Sequence, residues 1–482
     1  MGSTEPAPPA LAILAFFSSL LAGKVWLAVS VLMLGAVPLS GLSAYLSAGA
    51  ITRSPWLRIW AAVIWASLPA LTGAVSGGRI DVVVTVILLP LAARAVAAVL
   101  RTDDSRLHRP VGAGLLLAVA TAFSPVLWPA TLLVAVGLSV LVPGRRLARL
   151  RSAAVLLVTA AAALVPWTLS VVQHPELMVR GLGLPEPLVT LRPLRTADLV
   201  LMHPSGPALP PVWVLAPLVL AAVVGLGRSA QRVAARGGFA VFLLAIAGSV
   251  VISRQDGAVF ADPASRYWTG ATAALGALGL LVAALGAGNL ARAALRRYAF
   301  GWRQPAAGLV AASLLAGTGV AVVELLVHGV DRPLTGSTAA LLPEFASAEV
   351  GRATAPRLLV LDGRGTDAEV RYGIIRDPGG LRLGDADVAR SRPSEADNRL
   401  TDVVRRVAAG EAAALPRLAE FGVSMLVVRE SGVRALSRLS QLDGLDRIPT
   451  TGASVWRVQM STGELVVLGP RVASSVTGGA GL

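Results

Sequence analysis

Long apolar runs separated by short arginine-bearing loops fill residues 1–328, and a mixed polar and apolar pattern takes over from residue 329. A segment needs about 20 apolar residues to cross a hydrocarbon layer about 30 Å thick. Val25–Ile51, Val82–Leu100, Ala153–Val172, Gly270–Leu290 and Ala306–Val327 approach or exceed that length. Leu11–Gly23 is shorter, and neither a basic stretch before it nor a clear cleavage site after it marks a signal peptide. Gly112–Val142 is apolar throughout but carries Ser124-Pro125 and Trp128-Pro129. Proline removes a backbone donor and clashes with the preceding turn, so this run is either one kinked span or two short ones, and the two-segment reading is favoured. The pattern predicts a polytopic α-helical membrane protein of about nine to eleven segments.

Beyond a linker over 329–355, residues 356–468 read as a small α/β domain. Arg357–Leu361, Val370–Ile375, Val423–Val428 and Ser454–Gln459 have the aliphatic, turn-bounded character of strands. Asp397–Ala409 has helical periodicity, with Leu400, Val403, Val404 and Val407 on one face. Ser431 can cap a helix over Val433–Leu442, and Asp443-Gly444 is a turn. The Gly/Ser-rich tail 469–482 reads as disordered.

Charge then orients the chain. Pro143–Ser152, Arg228–Gly237 and Arg292–Pro305 are rich in arginine and hold no acid, which assigns them to the cytoplasm. His174–Pro211 and Arg254–Trp268 mix acids with bases and fall on the outer side, as does the C-terminal domain after one more span. In the two-segment reading of Gly112–Val142, Arg101–Pro110 is cytoplasmic and Ser76–Asp81 is outside; a single span reverses both. The formal charge of +15 is therefore a topological signal, and nucleic acid is not expected as a partner. A mean hydropathy of +0.69 excludes an ordinary soluble enzyme. Cysteine is absent, which excludes disulfides and thiolate chemistry. Lys24 is the only lysine, and the Arg, Ala, Gly and Val usage has the character of a GC-rich actinobacterial genome.

Candidate chemistry is sparse. Asp81 falls in a short outer loop, either as a general base or as an acid at a helix N-terminus paired with the dipole or with Arg79. The long outer loop carries His174, Glu176, Arg180, Glu186, Arg192, Arg195 and His203, and the next one carries Arg254, Asp256, Asp262 and Arg266 before Tyr267 and Trp268. Arginine holds phosphate through paired donors and histidine moves protons, so these loops form either a phosphate- and sugar-facing wall or a solvated surface. Glu324 precedes His328 by one turn in the last span, as a proton site or a snorkelling pair. No resident cofactor is expected. Asp385 and Asp387 form the one Asp-x-Asp pair that resembles a divalent-cation site, although it sits in a polar loop after Gly379-Gly380.

Several segments carry a family resemblance: Ser54-Pro55-Trp56-Leu57-Arg58-Ile59-Trp60, Leu68-Pro69-Ala70-Leu71-Thr72-Gly73-Ala74-Val75 and Gly78-Arg79-Ile80-Asp81. Leu89-Pro90-Leu91-Ala92-Ala93-Arg94, Phe123-Ser124-Pro125, Pro166-Trp167 and Phe421-Gly422-Val423 add to it. Together they resemble the membrane portion of large actinobacterial family 2 glycosyltransferase-like proteins, which is itself similar to the GT-C type. The resemblance covers nearly the whole chain through hydropathy and composition, not through catalytic motifs. It implies a plasma-membrane protein of cell-envelope glycan assembly that takes a polyprenyl-phosphate-linked sugar on the outer face. It also makes Asp81 the catalytic candidate, with Arg79, His174, Arg180, Arg192, Arg195 and Arg266 as substrate-binding candidates. The family's N-terminal cytoplasmic nucleotide-sugar domain has no counterpart here, so the chain reads as the C-terminal portion of such a protein. The expected partners are the bilayer, a lipid-linked sugar and a separate cytoplasmic glycosyltransferase domain. The alternatives are a non-catalytic scaffold for such a domain and, less favoured for want of internal repeats, a transporter.

Overall fold

The computed structural model describes residues 8–101, 107–141, 146–178, 186–187, 194–204, 209, 211–226, 232–254, 265–297, 303–328, 357–362, 371–375, 395–429, 438–449 and 454–459. The linker 329–355 and the tail 469–482 lie outside them. Two compact units result, one holding the described residues up to His328 and the other those from Arg357 onward.

In the first unit, three helical segments are long and apolar enough to cross a membrane: Pro55–Ser76, Ile80–Arg101 and Ala234–Ser253. Two bent pairs, Pro9–Leu20 with Val25–Leu34 (99°) and Arg146–Ala163 with Trp167–Gln173 (103°), raise the number to five if each pair is one span. Several expected spans are interrupted. Val25–Ile51 divides into Val25–Leu34 and Ala36–Ala48 at Gly35, and Ala153–Val172 breaks before Pro166. A hydropathy run does not register such breaks; Pro166 imposes one because it cannot donate the next backbone hydrogen bond. Gly112–Val142 likewise divides, into His108–Phe123 and Leu127–Leu141 with Ser124-Pro125 between them.

The helix Ile80–Arg101 is the axis of this unit. Every residue from Ile80 to Val86 is buried, because neighbouring helices surround that half. Pro90 lies inside the helix and leaves the Val86 carbonyl without its usual N–H donor. The fully buried Trp65 fills that place, its Nε1–H donating to the Val86 oxygen at 3.1 Å. Trp65→Phe is therefore expected to cost about 1–3 kcal/mol, the penalty for an unsatisfied buried carbonyl. In a Pro90→Ala background the restored N–H should take over that carbonyl. Thermal unfolding of the four proteins of this cycle tests the coupling, and equal costs in both backgrounds would refute it.

Small residues set the closest helix crossings, as packing in lipid favours. Gly238 and Gly279 face each other where Arg232–Ser253 crosses Gly270–Arg297, and a Cβ on either would run into the other's carbonyl oxygen. Farther along, Ser249 Oγ meets Thr272 Oγ1 at 2.8 Å, so the two helices are antiparallel. Gly114 admits the Leu156 carbonyl and Thr159 from Arg146–Ala163 in the same way.

This arrangement sorts the loops. Arg101, Arg149 and Arg236 line one cavity and therefore share an end of the unit. The antiparallel crossing carries the end of Gly270–Arg297 toward that same end. The described arginines of these basic segments thus lie toward one end, as the two-segment reading of Gly112–Val142 expects. The 22-residue axis helix puts Asp81 at the opposite end, about 30 Å away at 1.5 Å per residue.

The second unit holds a five-stranded sheet. Two short strands precede it in the first unit, β1 (Glu186–Pro187) and β2 (Ser265–Arg266), so the sheet comprises β3 (Arg357–Asp362), β4 (Arg371–Ile375), β5 (Val423–Arg429), β6 (Leu445–Ile448) and β7 (Ser454–Val458). Their order is β4-β3-β5-β7-β6, with β3 and β5 parallel and the other pairs antiparallel. The parallel pair is connected through the helices Glu395–Ala409 and Leu415–Glu420. Tyr372, opposite Leu361, bonds Thr401 at 2.9 Å, so Glu395–Ala409 covers the face carrying Leu359, Leu361, Leu426 and Trp456. Leu358, Met425, Val427 and Val455 pack on the other face. Four expected strands and the amphipathic helix are present; β6 is additional. Most of the expected helix Val433–Leu442 lies outside the described residues.

Candidate functional site

The segment around Asp81 is built by a helix stop followed at once by a helix start. Pro69 opens the helix Pro69–Ser76, where its fixed φ suits the first turn. Gly78 ends it with φ +67, a left-handed conformation that favours glycine. The Gly78 amide donates to Val75 O at 3.2 Å and the Arg79 amide to Ala74 O at 2.8 Å, the paired bonds of a Schellman stop. The Arg79 carbonyl then accepts from the Val83 amide at 3.1 Å, which starts the next helix.

Asp81 consequently sits in the first turn of Ile80–Arg101 and not in the expected loop. The Gly77-Gly78 stop is so tight that the helix resumes almost at once. At a helix N-terminus the dipole favours a carboxylate. Asp81 is 8% exposed and Arg79 9%, so both charged side chains are nearly enclosed at an end of the helical unit. Such burial is costly for charged groups unless they are compensated, and it marks a candidate site.

Trp268 completes one wall. The Arg79 guanidinium lies over its ring, 4.9 Å from the centroid, in a cation–π contact. Gly73 makes this approach feasible: a Cβ there would strike Leu209 and crowd the indole. Trp268 lies two residues after β2, which pairs antiparallel with β1 through Glu186 opposite Arg266 and Pro187 opposite Ser265. The two loops assigned to the outer side are thus stitched together by backbone pairing, and their joint leads into the tryptophan that covers Arg79.

A third segment packs at this end. Thr196–Val200 is a short helix whose start is held by Asp198, with Oδ2 accepting the Arg195 amide at 2.8 Å. Asp198 is 1% exposed and its carbonyl accepts the His203 amide at 2.9 Å; His203 is also buried. Met202 fits against Gly276 of the following long helix.

The candidates are thereby separated. Arg79 and Asp81 share one turn, and Trp268, read from sequence only as an interfacial aromatic, joins Arg79. His174 is half-buried at the end of Trp167–Gln173, its amide bonded to Ser170 O at 2.8 Å. Arg195 is exposed at the start of its own helix. Arg266 is placed by its backbone in β2. Arg180, Arg192 and the Asp385/Asp387 pair lie outside the described residues. Asp198 escaped sequence reading because arginine precedes its helix, where Ser, Thr, Asp or Asn would have signalled a cap.

No family model and no curated protein matches the chain. Its fold is similar to that of the arabinofuranosyltransferase AftD from Mycobacteria, solved by single-particle cryo-EM, with a TM-score of 0.59 and 17% identity over 93% of this chain and 35% of AftD. Two classes of an AftD mutant match with TM-scores of 0.54 and 0.53, each at 17% identity. The chain therefore spans about a third of the length of these neighbours. The resemblance to GT-C-type membrane glycosyltransferases read from the residues holds at the level of the fold.

Proposed function

We propose that the chain acts in cell-envelope glycan assembly as a membrane glycosyltransferase, or as its membrane portion. The donor is a polyprenyl-phosphate-linked sugar and the reaction occurs on the outer face of the plasma membrane. The observation that carries this reading is the nearly enclosed Arg79 and Asp81 in one turn, with Trp268 over Arg79, at the end opposite the basic segments. By the charge rule that end is the outer one.

In the proposed reaction Asp81 takes the proton from an acceptor hydroxyl as its oxygen attacks the anomeric carbon. The new glycosidic bond forms while the bond from that carbon to the phosphate oxygen breaks. Polyprenyl phosphate leaves with the electron pair. Arg79 binds the leaving phosphate through its planar donors, and the Trp268 ring holds the guanidinium in place. His174, Arg180, Arg192, Arg195 and Arg266 are assigned to the surrounding loop wall, where they contact phosphate and sugar. The α/β unit is assigned to the outer side as a glycan-facing domain. The reaction is written without a resident metal or cofactor.

Membranes containing the chain, supplied with labelled sugar on polyprenyl phosphate or on a nucleoside diphosphate, test this reading. Transfer from the lipid donor alone is expected. Transfer from the nucleotide donor alone would overturn the assignment. A second reading is a membrane module acting with a separate glycosyltransferase domain. Folded protein that transfers from neither donor until such a domain is added would establish that reading instead.

A further inference from the structure

Toward the end opposite Asp81, the helices of the first unit line a partly open cavity of about 1090 Å³. Its wall is built mainly of Ala, Leu, Val and Gly; among the described residues Arg94, Arg101, Arg149 and Arg236 are its charged members and no Asp or Glu lines it. Its size is just above the usual range of small-molecule sites, about 300–1,000 Å³. Arg101, Arg149 and Arg236 stand at helix ends, where the membrane surface would lie. Arg94 is about 10 Å farther in along the axis helix, at 1.5 Å per residue, and its side chain is exposed. Its Nη1–H bonds the Leu46 carbonyl at 2.9 Å, and an Arg149 Nη1–H bonds the Leu138 carbonyl at 3.2 Å. Both acceptors are neutral carbonyls that orient the guanidiniums toward the cavity wall. An arginine at that depth is costly unless it meets a charged partner or reaches the surface.

We propose that this cavity binds an anionic phospholipid of the surrounding membrane. Its acyl chains lie between the helices and its phosphate groups meet the four arginines. The apolar wall matches the chains, and the four arginines among the described residues match the headgroup. Basic pockets between helices on the cytoplasmic side are suited to such headgroups. The site is separate from the Arg79–Asp81 turn, and the proposal stands whether or not sugar transfer occurs there.

One glycine and two arginines permit a test in which chain space and headgroup charge are removed independently. Gly137 lines the cavity, and a Cβ on it would meet nothing within 4 Å. Gly137→Phe should therefore fill the chain-binding space without disturbing the helices. Arg94→Gln/Arg149→Gln removes headgroup charge. Purified full-length protein would be titrated with cardiolipin, phosphatidylcholine and polyprenyl phosphate, with binding read by native mass spectrometry and by melting temperature. Selective binding of cardiolipin is expected. The arginine pair should weaken it about 30-fold, taking about 1 kcal/mol for each basic residue near a lipid headgroup. Gly137→Phe should also abolish it while the unliganded melting temperature stays unchanged. Equal binding of phosphatidylcholine, a preference for polyprenyl phosphate, or undiminished cardiolipin binding by either variant would overturn the proposal.

Discussion

Asp81→Asn is expected to lower sugar transfer by about 10²–10⁴-fold, the usual contribution of a positioned general base. Asparagine keeps the size of the side chain and is accepted near a helix start, so the Gly77-Gly78 stop and the helix after it should survive. The carboxylate is lost as a proton acceptor, and the acceptor hydroxyl must then attack without losing its proton to the enzyme. The effect should fall on kcat, because the contact proposed between Arg79 and the donor phosphate is left in place. Single-turnover transfer with prebound lipid donor would separate the two. An unchanged rate, with melting temperature and donor affinity also unchanged, would remove Asp81 from the chemistry and leave it as a helix-capping acid.

The largest structural effect is expected at the crossing of Arg232–Ser253 with Gly270–Arg297. Gly238→Leu places a branched side chain where the Gly279 carbonyl, the Ala283 amide and Val282 already lie. Backbone on the opposing helix cannot swing aside as a side-chain tip can, so the helices must separate. Overpacking a filled interior costs about 1–3 kcal/mol, and a forced backbone shift places this substitution at the upper end or beyond. The damage should spread, because Gly270–Arg297 also packs on the Ile80–Arg101 axis and Trp268 lies two residues before it. Gly308→Leu is the matched control, since a Cβ at Gly308 meets nothing within 4 Å. Thermal unfolding in detergent should show a large loss for the first and little change for the second; similar melting for both would contradict the close crossing.

The sequence made much of the helical unit legible because burial in lipid demands long apolar runs, and the sheet because short aliphatic strands are bounded by turns. The interruptions at Gly35 and before Pro166 were hidden, since hydropathy averages over them. β6 was hidden for a different reason: Asp446 and Arg447 are exposed on an edge strand, whose charges discourage pairing with another chain and also mask the apolar alternation. At the candidate site, the Gly78-Arg79-Ile80-Asp81 segment was visible, but the covering of Arg79 by Trp268 was not. That contact depends on Gly73 and Leu209 and on the pairing of two loops far apart in the chain. Local patterns carry no record of it. The same limit applied to the cavity, whose arginines come from three separate basic segments and one helix interior.

A polyprenyl-phosphate sugar donor carrying a photoreactive group on the sugar gives the most direct measurement. After irradiation in membranes and proteolysis, labelled peptides should come from the turn holding Arg79 and Asp81 and from the segment holding Trp268, and unlabelled donor should suppress both. Specific labelling confined to the cavity around Arg94 and Arg149, or to the α/β unit, would contradict the assignment of the Arg79–Asp81 turn as the donor site.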